Sequence, residues 1–424
     1  MTSPITALLL GAGMRGAHSY GPYALEHPDQ LQFVAVAEPD DERRARFAAA
    51  HNIPAERQFR GWEEALARPQ LANTVFNMTQ DQTHYASSLA ALGAGYDMLL
   101  EKPMTNTLAD TMHLVQEAER QGRLLQVCHV LRYTHFFQEL NQILASGRLG
   151  QIVTVEHREN VAYWHMAHSF VRGNWGNSAN ASPMILAKCC HDLDILIWNM
   201  GQPVQQLHSF GSLIHFRREN MPANATERCT DDCPAAETCP FDARRLYLNM
   251  NNEGWPVTAI TTDLSLEGRR HALETGPYGK CVYRCDNDVV DNQVVNMRYG
   301  DGATVVLVMH GHSHEEGRTM RYDGTRATLR GKFGHGVGDI EIHDHVTNEI
   351  ERRQILPGES GHGGGDAGTV RSFVQAVRGE TLPLTSARES LESHLLAFAA
   401  ERSRLKGEVV DMDVFRREAE GTAR

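Results

Sequence analysis

No stretch of the sequence approaches the roughly 20 consecutive apolar residues that would carry a helix across a bilayer. The opening run MTSPITALLLGAG has no basic segment, and its short apolar core ends at a glycine turn. It therefore predicts a buried strand and not a secretion signal. Basic residues are in deficit: 41 Lys and Arg stand against 53 Asp and Glu, a net charge of −12. No basic cluster is interleaved with aromatics, so the charge argues against nucleic acid or an anionic membrane as main partner. Cysteine is scarce, at eight in 424 residues. Without a secretion signal the chain is expected in the cytoplasm, its thiols reduced or metal-bound and not paired in a disulfide framework.

What is present is ordinary for a soluble globular protein: 41% hydrophobic and 22% charged residues, in a chain long enough for two domains. Over the first 130 residues, apolar strands (TALLLGAG, FVAVAEP, NTVFNMT, YDMLLEKP, RLLQVCHV) alternate with helical stretches (DERRARFAAAHN, HYASSLAALGAG, LADTMHLVQEAERQG). This predicts a parallel sheet covered on both faces. After the helix THFFQELNQILASGRLG, runs such as QIVTVEHREN, VQQLHSFGSLIHF, GATVVLVMHG, TRATLRGKF and DIEIHDHV predict a largely antiparallel sheet. One helix, HDLDILIWNMG, is inserted early. Residues 217–256 look like a polar insertion, and helices over 366–406 pack back on the core. The expected boundaries are 1–130 and 131–424.

LLLGAGMRG places Gly11, Gly13 and Gly16 in G-x-G-x-x-G spacing directly after the first strand. The first glycine permits a tight turn, the second lets backbone approach a pyrophosphate, and the third lets helix and strand pack closely. Glu38 ends the second strand roughly 20 residues on, where an acid binds the adenosine ribose hydroxyls. Asp40 and Asp41 follow and would repel a 2′-phosphate, which favours NAD over NADP. Arg43 and Arg44 are expected on the exposed face of the next helix.

GAGMRG, VAVAEPD, NMTQDQTH, LEKPM, LRYTHFF with GRLGQI, the HDLD helix and LTSARESLESHLLAFAAERS together resemble the glucose–fructose oxidoreductase/inositol dehydrogenase/MocA family. The resemblance covers nearly the whole chain apart from the cysteine-bearing insertion. It implies an α/β fold: an N-terminal Rossmann domain, then an α/β domain whose large, mostly antiparallel open sheet makes homodimers or homotetramers. The implied activity is hydride transfer from a secondary hydroxyl of a sugar, glycoside or cyclitol to NAD. Two alternatives stay open. One is a glycoside hydrolase that oxidises, eliminates, hydrates and reduces on a retained NAD; the other is a nucleotide-sensing protein without turnover. By the resemblance Met14, Arg15, Thr79, Gln80, His84, Glu101, Lys102 and Arg132 join the glycines and Glu38 at the cofactor.

Lys102 also reads well from the residues alone. It follows the buried strand DMLL, and Pro103 keeps it out of the helical region. It therefore emerges where α/β sheets bind ligands, and partial desolvation can tune its pKa. His191 matches the family's catalytic histidine. Carbinol oxidation needs a base near neutral pH, which suits imidazole. The bland reading, a histidine at a helix start favoured by Asp192 and Asp194, stands beside it. Relatives often carry an aspartate four residues before this histidine. Here that position is Ala187, followed by Lys188, which is expected to lower the pKa of Lys102 and His191. Adjacent Cys189 and Cys190 diverge and read as small buried hydrophobes.

Candidate substrate residues are His165, His168, Arg172, Trp175, Asn177, Lys188 and Asp194, because Trp stacks on sugar faces while Arg and Asn hydrogen-bond hydroxyls. His362, in GHGGGD, is a looser candidate for closing the pocket. CTDDCPAAETC supplies Cys229, Cys233 and Cys239, and CVYRC supplies Cys281 and Cys285. Cys229, Cys233, Cys239 and Cys285 are the candidate ligands of a structural zinc, although their spacing is not that of paired C-x-x-C motifs; free or paired thiols and an iron–sulfur cluster stay open beside it. His310, His312 and His314 would share one strand face, where chelation competes with a solvated strand end.

Overall fold

The computed structural model describes residues 3–334 and 336–422. Six strands, β1 (Ile5–Leu10), β2 (Leu31–Ala37), β3 (Gln58–Phe59), β4 (Thr74–Asn77), β5 (Asp97–Leu100) and β6 (Leu125–Val127), form an all-parallel sheet. Its order is β3-β2-β1-β4-β5-β6, that of a dinucleotide-binding Rossmann sheet. Helices cover both faces, so continuous apolar runs fit: Leu8, Leu9, Leu10, Met98, Leu99 and Leu100 are fully enclosed. The order reverses beside β1, and the crevice beyond the carboxyl ends of β1 and β4 is where such sheets take ligands.

The second sheet has nine strands: β7 (Ile152–Ala162), β8 (Val204–Ser212), β9 (Asn292–Tyr299), β10 (Thr304–Ser313), β11 (Gly317–Gly324), β12 (Ala327–Gly334), β13 (Val337–Asp344), β14 (Ile350–Ile355) and β15 (Val410–Asp411). Their order is β14-β13-β12-β11-β7-β10-β9-β8-β15, antiparallel throughout except for the parallel pair β7–β10. Burial alternates along β9 and β10, which leaves one face open and sets the other on the core. Helices Cys190–Met200 and Ala387–Lys406 pack together on that inner side. Among the described residues no helix is long and apolar enough to cross a membrane.

Five strands escape the sequence pattern, β3 and β15 because each has only two residues. β14, IERRQI, is an edge strand without a well-buried face, while β9 and β11 alternate apolar residues with Asn, Arg and Asp. The cysteine-bearing insertion is also longer than 217–256. From the end of β8 to the start of β9 the described chain forms short helices (Ala243–Tyr247, Val257–Ile260, Leu266–Thr275) and an isolated Arg228–Lys280 bridge.

The domains share packing as well as chain. Helix Gly365–Val377 returns to the first sheet, where Phe373 meets Phe76 edge-on at 5.5 Å. At the junction Arg132 donates to both Asp194 oxygens (2.7 and 2.6 Å) and to Leu384 O (3.1 Å). Both members of the ion pair are buried, Arg132 at 4% and Asp194 at 1% exposure. Removing one partner strands the other charge. Arg132→Gln is expected to lower unfolding free energy by about 3–5 kcal/mol in chemical denaturation, and a loss under about 1 kcal/mol would contradict this account of the junction.

Candidate active site

The glycine loop is built for close approach. Gly11 has φ +88°, and a Cβ there would lie 2.6 Å from Met78 O. A Cβ on Gly16 would lie 2.1 Å from Gly11 O, whereas one on Gly13 would meet nothing within 4 Å. Gly11 and Gly16 thus fix the turn, and Gly13 leaves open space beside it for a phosphate. Glu38 accepts from Ala12 N at 2.7 Å and Asp40 N at 3.0 Å, so the acid at the end of β2 is locked to the glycine loop. These features fit an adenine dinucleotide. Arg43 is exposed as expected, but Arg44 is not: it folds back to donate to Glu38 O at 2.6 Å and pairs with Asp41.

The two residues after Gly13 lead in different directions. Met14 Sδ receives a contact from Thr258 Oγ1 at 3.4 Å, so the insertion lies over the loop. Arg15 turns inward to Glu101 Oε1 (2.5 Å) and Asp366 Oδ1 (2.9 Å). Tyr20 also donates to Glu101, at 2.8 Å. Burial alone would raise Glu101, but Arg15 and Lys102 hold its carboxyl below the usual range. Asp366 is likewise buried and held well below its usual value by Arg15 and His362. His362, the loose candidate, sits at this knot, Nδ1 3.0 Å from Asp366. Tyr20 and Asp366 were missed by sequence reasoning; only the position of Asp366 at the head of a late helix hinted at it.

Several expected cofactor residues act as scaffolding. Thr79 donates to Asn77 Oδ1 at 2.8 Å. The ring nitrogens of His84 lie 2.7 Å from Pro103 O and 3.1 Å from Thr79 O, so this enclosed side chain joins two loops. Gln80 stands at the head of helix Asp81–Gly93 and meets Asn174 at 3.4 Å. Arg132 and Asp194 spend their charges on each other, so neither offers a free group to cofactor or substrate.

The reacting centre lies between β5 and helix Cys190–Met200. Lys102 Nζ donates to Ala187 O at 2.7 Å. His191 occupies the first turn of that helix, 8% exposed, with a buried Nδ1 that has no hydrogen-bond partner among the described residues. Burial first, then the Lys102 charge and neighbouring His129, push its pKa well below the ordinary value, so the ring is neutral. Cys189 and Cys190 are enclosed, and burial pushes the Cys190 thiol up to about 12. Lys188 corrects the sequence reading. It turns away from Lys102 and His191 to lie 3.3 Å from Glu159 and 3.2 Å from Glu316. Those carboxylates outweigh its burial and hold it charged, and it is not among the largest influences that depress His191.

His165 joins this centre. Its Nδ1 lies 2.9 Å from Glu316 Oε1, and the ring stacks on Trp164 and meets Trp255 edge-on at 4.8 Å. Trp255, from the insertion, carried no sequence signal beyond being aromatic. His168 is buried behind it, bonded to Tyr247 (2.7 Å) and stacked on Tyr278. Arg172 donates to Lys280 O and Phe241 O at 2.7 and 2.8 Å, so it holds the insertion. Trp175 donates to Asp81 at 3.2 Å, and Asn177 Nδ2 to Asp286 O at 3.0 Å. These four are structural in their contacts.

The histidine run does not form a chelate. His310 meets Asn160, while His312 pairs with Asp291 at 3.5 Å and stacks on Phe216. Among the described residues no three His, Cys, Asp or Glu side chains stand in metal-holding geometry. The four cysteines around the insertion's cavity are Cys229, Cys233, Cys239 and Cys281; Cys285 lies outside it.

Comparison with known proteins gives a consistent picture. The putative oxidoreductase YteT of Bacillus subtilis is 23% identical over 314 residues, 72% of each chain. Inositol 2-dehydrogenase 2 of Saccharopolyspora erythraea is 30% identical over 173 residues, 40% of this chain and 47% of that one. The structure superimposes on an oxidoreductase from Agrobacterium radiobacter, solved with NAD+, L-tartaric acid and magnesium, with TM-score 0.70 and 15% identity over 97% and 99% of the two chains. Residues 5–129 match the oxidoreductase family's NAD-binding Rossmann fold, and residues 141–412 match its C-terminal alpha/beta domain. With glycine loop, Lys102 and His191 placed as described, the chain belongs to the glucose–fructose oxidoreductase/inositol dehydrogenase/MocA family of oxidoreductases.

Proposed function

We propose that the protein is an NAD-dependent dehydrogenase acting on a secondary hydroxyl of a sugar, glycoside or cyclitol. The observation that carries this reading is the pairing of Lys102 with a neutral, buried His191 beyond the carboxyl end of β5. When bound, the nicotinamide supplies the hydride acceptor. Lys102 binds the substrate oxygen through an ammonium proton not used by Ala187 O. His191, kept neutral, takes the hydroxyl proton as the carbonyl forms. Trp164 and Trp255 offer apolar faces of the kind that stack on sugar rings. The inositol 2-dehydrogenase likeness supports a polyhydroxylated substrate. Glu38, with Asp40 and Asp41 beside it, supports NAD over NADP. The open outer face of the second sheet, where Phe210 is 64% exposed, supports a homodimer or homotetramer.

A redox-assisted glycoside hydrolase is the second reading, favoured by the His165–Glu316 pair. It offers an acid/base group apart from Lys102 and His191, as elimination of an aglycone would require.

With NAD and a panel of polyols and glycosides, Lys102→Met should lower kcat for NADH formation about 10²–10⁴-fold while NAD binding, followed by calorimetry, is kept. Equal activity in the variant would refute the assignment. The pH profile follows from the sign of the His191 shift. Its working form is the base and its pKa is depressed, so activity holds as pH falls through the ordinary histidine value of about 6.5. The acid limb of kcat/KM should lie below that value; a limb above about 7 would contradict His191 as the base.

A further inference from the structure

We propose that His165 is a specificity-determining residue, its Nε2 accepting a hydrogen bond from a second substrate hydroxyl beside the one that is oxidised. The substrate is then a diol whose second hydroxyl is free and not etherified. This role rests on the dehydrogenase reading of the pocket and narrows its substrates.

The hydrogen bonds around Glu316 fix which ring nitrogen is free. Glu316 Oε2 accepts the Ala162 N–H at 2.7 Å. Its Oε1 is shared by His165 Nδ1 at 2.9 Å and Lys188 Nζ at 3.2 Å. Burial alone would raise the Glu316 carboxyl, but Lys188 and His165 hold it well below the usual range. An ionised carboxylate only accepts, so His165 Nδ1 carries the hydrogen of that bond. Burial first, then the Lys188 charge, push His165 below its ordinary value, so the ring is neutral. A neutral imidazole with its hydrogen on Nδ1 has a bare lone pair on Nε2. That nitrogen has no hydrogen-bond partner among the described residues, and the side chain keeps 14% of its surface exposed.

Short links tie this acceptor to the reacting centre. Lys102 Nζ donates to Ala187 O at 2.7 Å, and the next residue, Lys188, reaches the same Glu316 oxygen as His165. Stacking on Trp164 and the edge-on contact with Trp255 hold the ring in its plane. The two polar groups ask for different partners. The Lys102 ammonium donates to the oxygen that is oxidised, whereas His165 Nε2 can only accept. The second substrate group must therefore bring its own hydrogen, as a hydroxyl does and an ether oxygen or a methylene does not. An analogue without that hydrogen leaves the half-enclosed nitrogen unpaired, and this is how a site rejects it.

The test takes purified protein with NAD, myo-inositol, glucose and methyl glucopyranosides, and the mono-deoxy analogues of each, and reads kcat/KM for NADH formation. The unaltered protein should lose about 10²–10³-fold on the analogue lacking one hydroxyl beside the oxidised carbon. His165→Phe, which keeps an aromatic ring in place, should lose as much on the parent polyol and nothing further on that analogue. Its NAD binding, followed by calorimetry, should be unchanged, which shows that the variant folds. His165→Gln, whose side-chain oxygen can accept, should recover part of the discrimination. Equal losses on parent and analogue in His165→Phe, or no discrimination by the unaltered protein, would overturn the role of His165 alone. No NADH from any member of the panel would overturn the dehydrogenase reading, and this role with it.

Discussion

The carboxylate of Glu101 is the point on which the active site depends. It leaves the end of β5, accepts the backbone N–H of Lys102 at 2.9 Å, and holds Tyr20 and Arg15 from the segment after the glycine loop. Arg15 continues to Asp366 at the head of a helix 351 residues later. One buried acid therefore registers the cofactor loop, the catalytic lysine and the returning C-terminal helix against each other. Burying it would be costly alone. Its cationic and hydroxyl neighbours offset that cost, and its pKa falls in consequence.

Ala187 in place of an aspartate does not leave the site without order. The main-chain carbonyl of Ala187 takes the Lys102 ammonium, and a carbonyl is a weaker electrostatic partner than a carboxylate. The lysine charge, which also acts on the neighbouring Glu101 carboxylate, contributes to keeping His191 neutral. The charge of Lys188 is absorbed elsewhere. It joins Glu159, Glu316 and Arg318 in a buried cluster beneath the pocket, where burial first, then like charge, pushes Glu159 up to about 7 against the pull of Arg318 and Lys188.

Much of this was legible in the sequence. The glycine spacing, the acid ending β2 and the apolar run before Lys102 are local signals, and their geometry follows from a few adjacent residues. Long-range pairing was not legible. Nothing near Arg132 shows that its partner is Asp194 62 residues away, or near Lys188 that it would face Glu316 and not His191. Residues expected at the ligands, His84 by the family resemblance and Arg172 by its chemistry, meet backbone carbonyls instead. Edge strand β14 escaped because its exposed register has no apolar face to betray it.

The central claim is net hydride transfer from a hydroxyl to NAD, and stoichiometry tests it most directly. Purified protein would be given limiting NAD with a panel of free polyols and nitrophenyl glycosides, while NADH absorbance and aglycone release are followed together. The account predicts NADH accumulating in step with added NAD, without aglycone release. Aglycone released over many turnovers with no net NADH would contradict it and establish the redox-assisted hydrolase instead.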